Sequence, residues 1–156
     1  MKQYSAKRSI QILAHILEQY GIDKIIISPG SRNAPLAIHF SEIDAFQCYS
    51  IVDERAAAFV GLGMSKSIKK PVAITCTSGS AATNYYPAIV EAFYQNVPLL
   101  VLTADRPADF VDIFDGQTIR QKNIFQQHSY GDFELLEDEK DGSDDYNFET
   151  IKKAVE

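Results

Sequence analysis

The triplet Asp53-Glu54-Arg55 stands between the apolar run FQCYSIV and the alanine-rich stretch ERAAAFVGLGMSK. Small residues following a strand read as the start of a helix. Asp53 is a good N-cap there, and negative charge at a helix N-terminus is stabilised by about 0.3–1 kcal/mol. Capping explains Asp53 and leaves Glu54 in part unexplained. A second set of reactive side chains is the arginines. Three of the five, Arg32, Arg106 and Arg120, fall in or just after the segments SPGSRNAPL, ADRP and DGQTIRQ, whereas the lysines are mostly elsewhere. The planar fork of arginine suits bidentate capture of a carboxylate or phosphate. Together they point to a small anionic ligand.

Each segment also has a plainer reading. Ser-Pro-Gly-Ser, with Ser31, can be a tight turn with a helix cap. TSGSAATN can be a strand-to-helix turn capped by Thr77 or Ser78, and it lacks both G-x-G-x-x-G and G-K-[ST]. Arg106 can form an ion pair with Asp105 or Asp109. His15 and His39 lie on helical segments, where packing or capping accounts for them, and His128 has no assignable role. No Ser/His/Asp set and no metal-ligand spacing stands out.

The elements that must position these residues follow from apolar periodicity. Residues 4–20 carry Ile10, Leu13, Ile16 and Leu17 at helical spacing and are closed by Gly21. KIIIS, FQCYSIV, PVAITCT and VPLLVLTA read as strands, alternating with helices over about 34–40, 54–68 and 81–94. Continuous apolar strands alternating with helices predict an α/β fold: a doubly wound, mostly parallel sheet with helices on both faces. Ligands of such sheets bind beyond the carboxyl ends of the strands. Ser31, Arg32, Glu54, the TSGS turn and Arg106 all fall there, and Gln117 follows in the loop beyond. After Ala104 the rhythm breaks, and DRPADFVDIFDGQTIRQKNIF predicts an ordered loop, then a short helix from about Thr118.

With 46% hydrophobic and 23% charged residues in 156, the chain has the size and balance of one soluble domain. The net charge is -6, yet DFELLEDEKDGSDD holds eight acids and one lysine, -7 by itself, so the remainder is near +1. That stretch reads as a solvated loop or linker, and the balance argues against nucleic-acid binding. No apolar run approaches the roughly 18 residues of a membrane span, and MKQYSAKRSIQ is no signal peptide. Cys48 and Cys76 lie in strand-like runs and read as free thiols, which makes the cytoplasm the expected compartment.

In order along the chain, SPGSRNAPL, DERAAAFVGLGMSK, CTSGSAATNYYPAIVEA, LLVLTADRP and GQTIRQ resemble the N-terminal part of the thiamine-diphosphate enzymes. The resemblance runs from the first helix to Phe125. Glu54 followed by small residues, and Thr-Ser-Gly with a later Thr-Asn, are shared widely in that family. Ser-Pro-Gly-Ser-Arg together with Ala-Asp-Arg-Pro narrows the resemblance to members that decarboxylate 2-oxoglutarate and add the four-carbon unit to isochorismate, in menaquinone biosynthesis. It implies the thiamine-diphosphate-binding fold, with residues 1–131 as the aminopyrimidine-binding domain. Residues 132–146 would be an acidic loop or linker, and 147–156 the start of a further helix.

The resemblance also implies roles. Glu54 would hydrogen-bond a nitrogen of the aminopyrimidine ring as both catalytic and cofactor-binding residue, favouring the imino tautomer that takes the C2 proton. Ser31, Arg32 and Arg106 match positions that hold substrate carboxylates, and Gln117 matches one that contacts the bound substrate. The cofactors would be thiamine diphosphate with Mg²⁺ or Mn²⁺, held in this family on another domain through Gly-Asp-Gly followed by Asn. Gly131-Asp132, with Phe133 next, is not that motif. The expectation is therefore one part of a longer, homo-oligomeric enzyme, inactive by itself, with no nucleic acid and no membrane span. One departure stands out. Where the family often has Gly-Ala-x-Gln, this chain has Phe114-Asp115-Gly116-Gln117, which puts a carboxylate beside an anion site. The alternatives are another thiamine-diphosphate 2-oxoacid enzyme and a non-catalytic anion-binding module.

Overall fold

The computed structural model of the chain describes residues 4–156. Strands β1 (Lys24–Ile27), β2 (Gln47–Ser50), β3 (Val72–Cys76) and β4 (Leu99–Thr103) form one sheet in the order β2-β1-β3-β4. Every neighbouring pair is parallel. The helices are α1 (Arg8–Gln19), α2 (Ala34–Glu42), α3 (Glu54–Ile68), α4 (Ser80–Asn84), α5 (Tyr86–Gln95) and α6 (Ser143–Val155).

Pleating sorts the strand side chains to two faces. Ile26, Val72, Ile74 and Cys76 pack with Ala57 and Ala58 of α3, Ala82 of α4 and Ala88 of α5. Ile25, Ile27 and Ala73 pack with Leu17 of α1, Phe40 of α2 and Ile151 of α6. Both faces are covered, as the apolar strand runs predict. The small residues of α3 have a packing reason: a Cβ on Gly61 would lie 2.6 Å from Ile74 Cγ2, so the helix sits close on the sheet only with glycine there.

Helix α1 ends as its sequence predicts. Gly21 has φ +68°, its N–H donates to Glu18 O, and Ile22 N–H donates to Leu17 O at 2.9 Å. Two expectations fail. The single helix over 81–94 is broken into α4 and α5 around Tyr85, because Pro87 has no N–H to continue the ladder of the first. The short helix expected from Thr118 is absent: Gln117 and Asn123 take left-handed φ of +59° and +60°, which no α-helical ladder accommodates. Only 3₁₀ turns at Ala108–Phe110 and Gln126–His128 lie between β4 and α6.

The acidic stretch is mostly exposed and lacks regular structure up to α6, yet it is tied to the body. Lys7, the N-cap of α1, offers no side-chain acceptor. The Asp138 carboxylate takes that role, accepting from the N–H groups of Arg8 (2.7 Å) and Ser9 (3.0 Å). Asn147 brackets Leu136, accepting from its N–H and donating to its carbonyl. The helix expected from residue 147 begins at Ser143, so it has enough length to bury Ile151 beside α1. Among the described residues no helix is long and apolar enough to cross a membrane.

Candidate functional site

The order β2-β1-β3-β4 reverses direction between β1 and β3, so the crevice beyond their carboxyl ends is the topological switch point. The two loops there are locked together. Ser28 N–H donates to Thr75 O, and Asn33 Nδ2 donates to Ser28 O at 3.0 Å. A Cβ on Gly30 would fall 2.6 Å from Thr77 Cβ, so the loops can touch only through glycine. Asn33 Oδ1 and Thr77 Oγ1 are buried there without a hydrogen-bond partner among the described residues. Buried acceptors left open are costly in a closed core and are found where a ligand or water completes them. The expected cap by Thr77 or Ser78 is not formed: Gly79 is the N-cap of α4, and Ser78 Oγ donates to Gln117 O instead.

Glu54 is the first residue of α3 and is half-buried. Asp53 caps the helix, its Oδ1 accepting from Ala56 N–H at 2.7 Å. Glu54 is thereby freed from capping, and its carboxylate has no hydrogen-bond partner among the described residues. Its charge is felt by two buried groups, Cys76 at the end of β3 and Tyr85 between α4 and α5. Burial pushes the Cys76 thiol up to about 12, a hydrogen bond with Tyr85 opposes this, and the Glu54 charge adds to it. Burial likewise raises Tyr85, with the charges at Cys76 and Glu54 contributing. Tyr85 also donates to Ser28 Oγ at 3.4 Å, so a buried polar line runs from β1 to β3 beneath the site. Sequence reasoning missed Ser28 and Tyr85 because each reads as ordinary strand-end or helix filler. The only signal was Tyr85 preceding Tyr86-Pro87, where a helix break turns one ring inward.

The arginines are held by the segment 112–118, which crosses the strand ends. Arg32 donates through a terminal nitrogen to Gln117 Oε1 at 3.1 Å. Arg106 forms an ion pair with Asp115, donates from Nε to Thr118 Oγ1 at 3.3 Å, and stacks over the Phe110 ring with Cζ 4.9 Å from its centroid. The expected partners Asp105 and Asp109 do not take the Arg106 side chain; Asp105 accepts only the backbone N–H of Arg106. The segment is fixed at its far end by buried Gln121, which accepts from Gly79 N–H and donates to Thr103 Oγ1 and Ala104 O. Arg32, Arg106 and Gln117 thus meet around one segment. Ser31 is exposed and lines a shallow depression with Ser5 and Pro35, and no hydrogen bond among the described residues joins it or Glu54 to the arginines. Arg120 lies apart on the surface, paired with Asp112. His128 is bonded to the Tyr86 hydroxyl at 2.8 Å within an aromatic cluster, His39 is buried, and both cysteines are free thiols.

A parallel sheet with a carboxylate lacking a hydrogen-bond partner at a helix start, and arginines beyond its strand ends, has the layout of α/β domains that take ligands at the switch point. The family model for thiamine pyrophosphate enzymes, N-terminal TPP binding domain, matches residues 8–133, and the chain belongs to that family. It is 54% identical over 145 residues to a protein of Flavobacterium psychrophilum named 2-succinyl-5-enolpyruvyl-6-hydroxy-3-cyclohexene-1-carboxylate synthase, covering 93% of this chain and 26% of that one. Proteins of the same name in Christiangramia forsetii and Desulfotalea psychrophila are 61% identical over 107 residues and 50% identical over 133. Those matches cover 69% and 85% of this chain, and 18% and 25% of the relatives. The chain spans about a quarter of the length of the relatives it matches.

Proposed function

We propose that the chain, with residues 1–131 as its aminopyrimidine-binding unit, works as one part of a synthase of the kind its relatives are named for. In this reading the substrates are 2-oxoglutarate and isochorismate, the setting is the cytoplasm, and the enzyme is a homo-oligomer. The observation that carries the reading is the Glu54 carboxylate, half-buried at the start of α3 and relieved of capping by Asp53. The residues suit an aminopyrimidine: Glu54 can share a proton with a ring nitrogen, and the open acceptors Asn33 Oδ1 and Thr77 Oγ1 lie in the same crevice. Thiamine diphosphate, when bound, supplies the electron sink for decarboxylation of a 2-oxoacid. The protein's part is to hold that proton at Glu54, to orient the ring against the β1 and β3 loops, and to neutralise substrate carboxylates at Arg32 and Arg106. Ser31 and Gln117 would complete the polar contacts to the substrate.

Mg²⁺ or Mn²⁺ belongs to the reading through the diphosphate. Among the described residues no group of three or more His, Cys, Asp or Glu is placed to hold a metal ion; the reading assigns the metal to another domain of the enzyme. The test is carbon dioxide release from 2-oxoglutarate, with and without isochorismate, by the complete gene product carrying Glu54 or Glu54→Gln. Glutamine keeps a hydrogen bond and cannot exchange the proton, so isochorismate-dependent turnover should fall by about 10²-fold or more. Release that ignores isochorismate would point to another 2-oxoacid enzyme. No release with cofactor and Mg²⁺ present would leave an anion-binding module.

A further inference from the structure

The two arginines assigned above to substrate carboxylates are not free. Arg32 is engaged by Gln117 and Arg106 by Asp115 and Thr118, all three on the same seven-residue segment. Thr118 Oγ1 also donates to Asp115 Oδ2 at 3.2 Å, so the carboxylate is held from two sides. The Arg106 and Asp115 side chains are only 19% and 32% exposed, which limits solvent screening of the pair. The segment is fastened unevenly. Its far end is pinned by Ser78 Oγ on the Gln117 carbonyl and by Gln121 within the core. Its near end rests on the exposed Asp112–Arg120 pair, and the Phe114 side chain stands wholly in solvent. Asp112, Phe114 and Gln117 all have left-handed φ, between +59° and +66°, a conformation that persists in non-glycine residues only while contacts hold it.

We propose that residues 112–118 form a strap that an anion displaces. Asp115 is the internal counter-ion of Arg106 in the ligand-free protein, and an incoming substrate carboxylate takes its place and releases the strap. The inference rests on the substrate role of Arg106 and adds to it a competitor built into the chain. A carboxylate at position 115 then makes sense beside an anion site: it keeps a partly buried guanidinium paired when no substrate is there. It also makes carboxylate binding report directly to a loop at the mouth of the crevice.

The test is binding of the stable dicarboxylates glutarate and chorismate, titrated separately into the complete gene product with thiamine diphosphate and Mg²⁺ present. Hydrogen exchange of peptides covering 111–118 is followed alongside. Asp115→Asn, which keeps the shape and removes the charge, should bind the preferred probe about tenfold tighter. Arg106→Gln should lose most of the affinity. In the unmutated protein, saturation with the probe should speed exchange in 111–118, whereas in Asp115→Asn exchange should be fast already. Equal or weaker binding by Asp115→Asn, with Arg106→Gln still impaired, would make Asp115 a mere support and overturn the strap. Exchange in 111–118 unchanged by a bound probe would do so without any variant. Binding that survives Arg106→Gln undiminished would remove the carboxylate site itself, and the strap with it.

Discussion

Gly79 is where the strap meets the sheet, and replacing it measures that contact. Its backbone has φ +84° and ψ -137°, a region that residues with a Cβ avoid. Holding alanine there costs about 1–3 kcal/mol. The added Cβ would also lie 2.7 Å from the Gln117 carbonyl oxygen, 2.9 Å from its carbon and 3.1 Å from its Cα. These are backbone atoms that no rotamer change moves aside, so overpacking adds about 1–3 kcal/mol. Gly79→Ala should therefore cost about 2–6 kcal/mol, and at about 2–4 °C per kcal/mol for a chain of this size even the lower end lowers Tm by about 4–8 °C. The control is Gly63→Ala in α3, where nothing lies within 4 Å of the new Cβ. Alanine there should stabilise by about 0.5–1 kcal/mol through helix propensity. Urea unfolding followed by far-ultraviolet circular dichroism gives both values. A loss below 1 kcal/mol for Gly79→Ala, with the control behaving as stated, would refute the close seating of Gln117 on the Thr77-Ser78-Gly79 turn.

Two further outcomes follow from titratable groups. Burial pushes Asp138 up, but the hydrogen bonds from Ser9 and Arg8 outweigh it and hold the carboxyl below the usual range. Its stabilising effect is present above the unfolded value near 3.9 and is lost as pH falls through the lower folded value. Urea midpoints between pH 2.5 and 6 should thus fall more steeply with acid in the wild type than in Asp138→Asn, and parallel curves would exclude the α1 tie. Cys76, fully buried with its thiol raised to about 12, should resist a disulfide reagent at pH 8 until the chain unfolds. Two thiols titrating rapidly in the native protein would contradict the packing of β3 against Tyr85.

The fold was legible because its signals are local and repeated. Four apolar strand runs, a glycine at the end of α1 and alanines in α3 each agree with the same architecture. What was legible of the candidate site was placement: Glu54 and Arg32 follow the ends of β2 and β1, as the apolar strand runs predict. The site was not legible after β4. Nothing in DIFDGQT announces left-handed backbone at Asp112, Phe114 and Gln117, or that Gln117 and Asp115 make long-range contacts to Arg32, Gly79 and Arg106. The helix expected from Thr118 met such contacts too: Gln121, a good helix former, is consumed in bonds to Gly79, Thr103 and Ala104. The acidic stretch is mostly exposed and irregular as its composition suggests, but composition does not show its tie to α1. Eight acids look like solvated chain, while a single one, Asp138, supplies the donors of α1 with an acceptor.

The two halves of the site solve opposite problems. A helix start needs one cap, and α3 has it in Asp53. A second carboxylate in the same turn gains only the weak attraction of the helix end and makes no hydrogen bond within the described chain. Stability therefore gives little reason for Glu54, whereas the proposed role, a hydrogen bond to a ring nitrogen, gives one. The arginines show the reverse. Arg106 is engaged by an ion pair through Nη2, a hydroxyl at Nε and an aromatic face, so its charge already has a counter-ion before any ligand arrives. A site that waits at Glu54 and is already paired at Arg106 should take its partners with different consequences. In the proposed reading the cofactor ring would enter a crevice already shaped by Gly30 and Thr77, while a substrate carboxylate would first have to break a contact. Movement on binding belongs to the second event, and the strap is where it would appear.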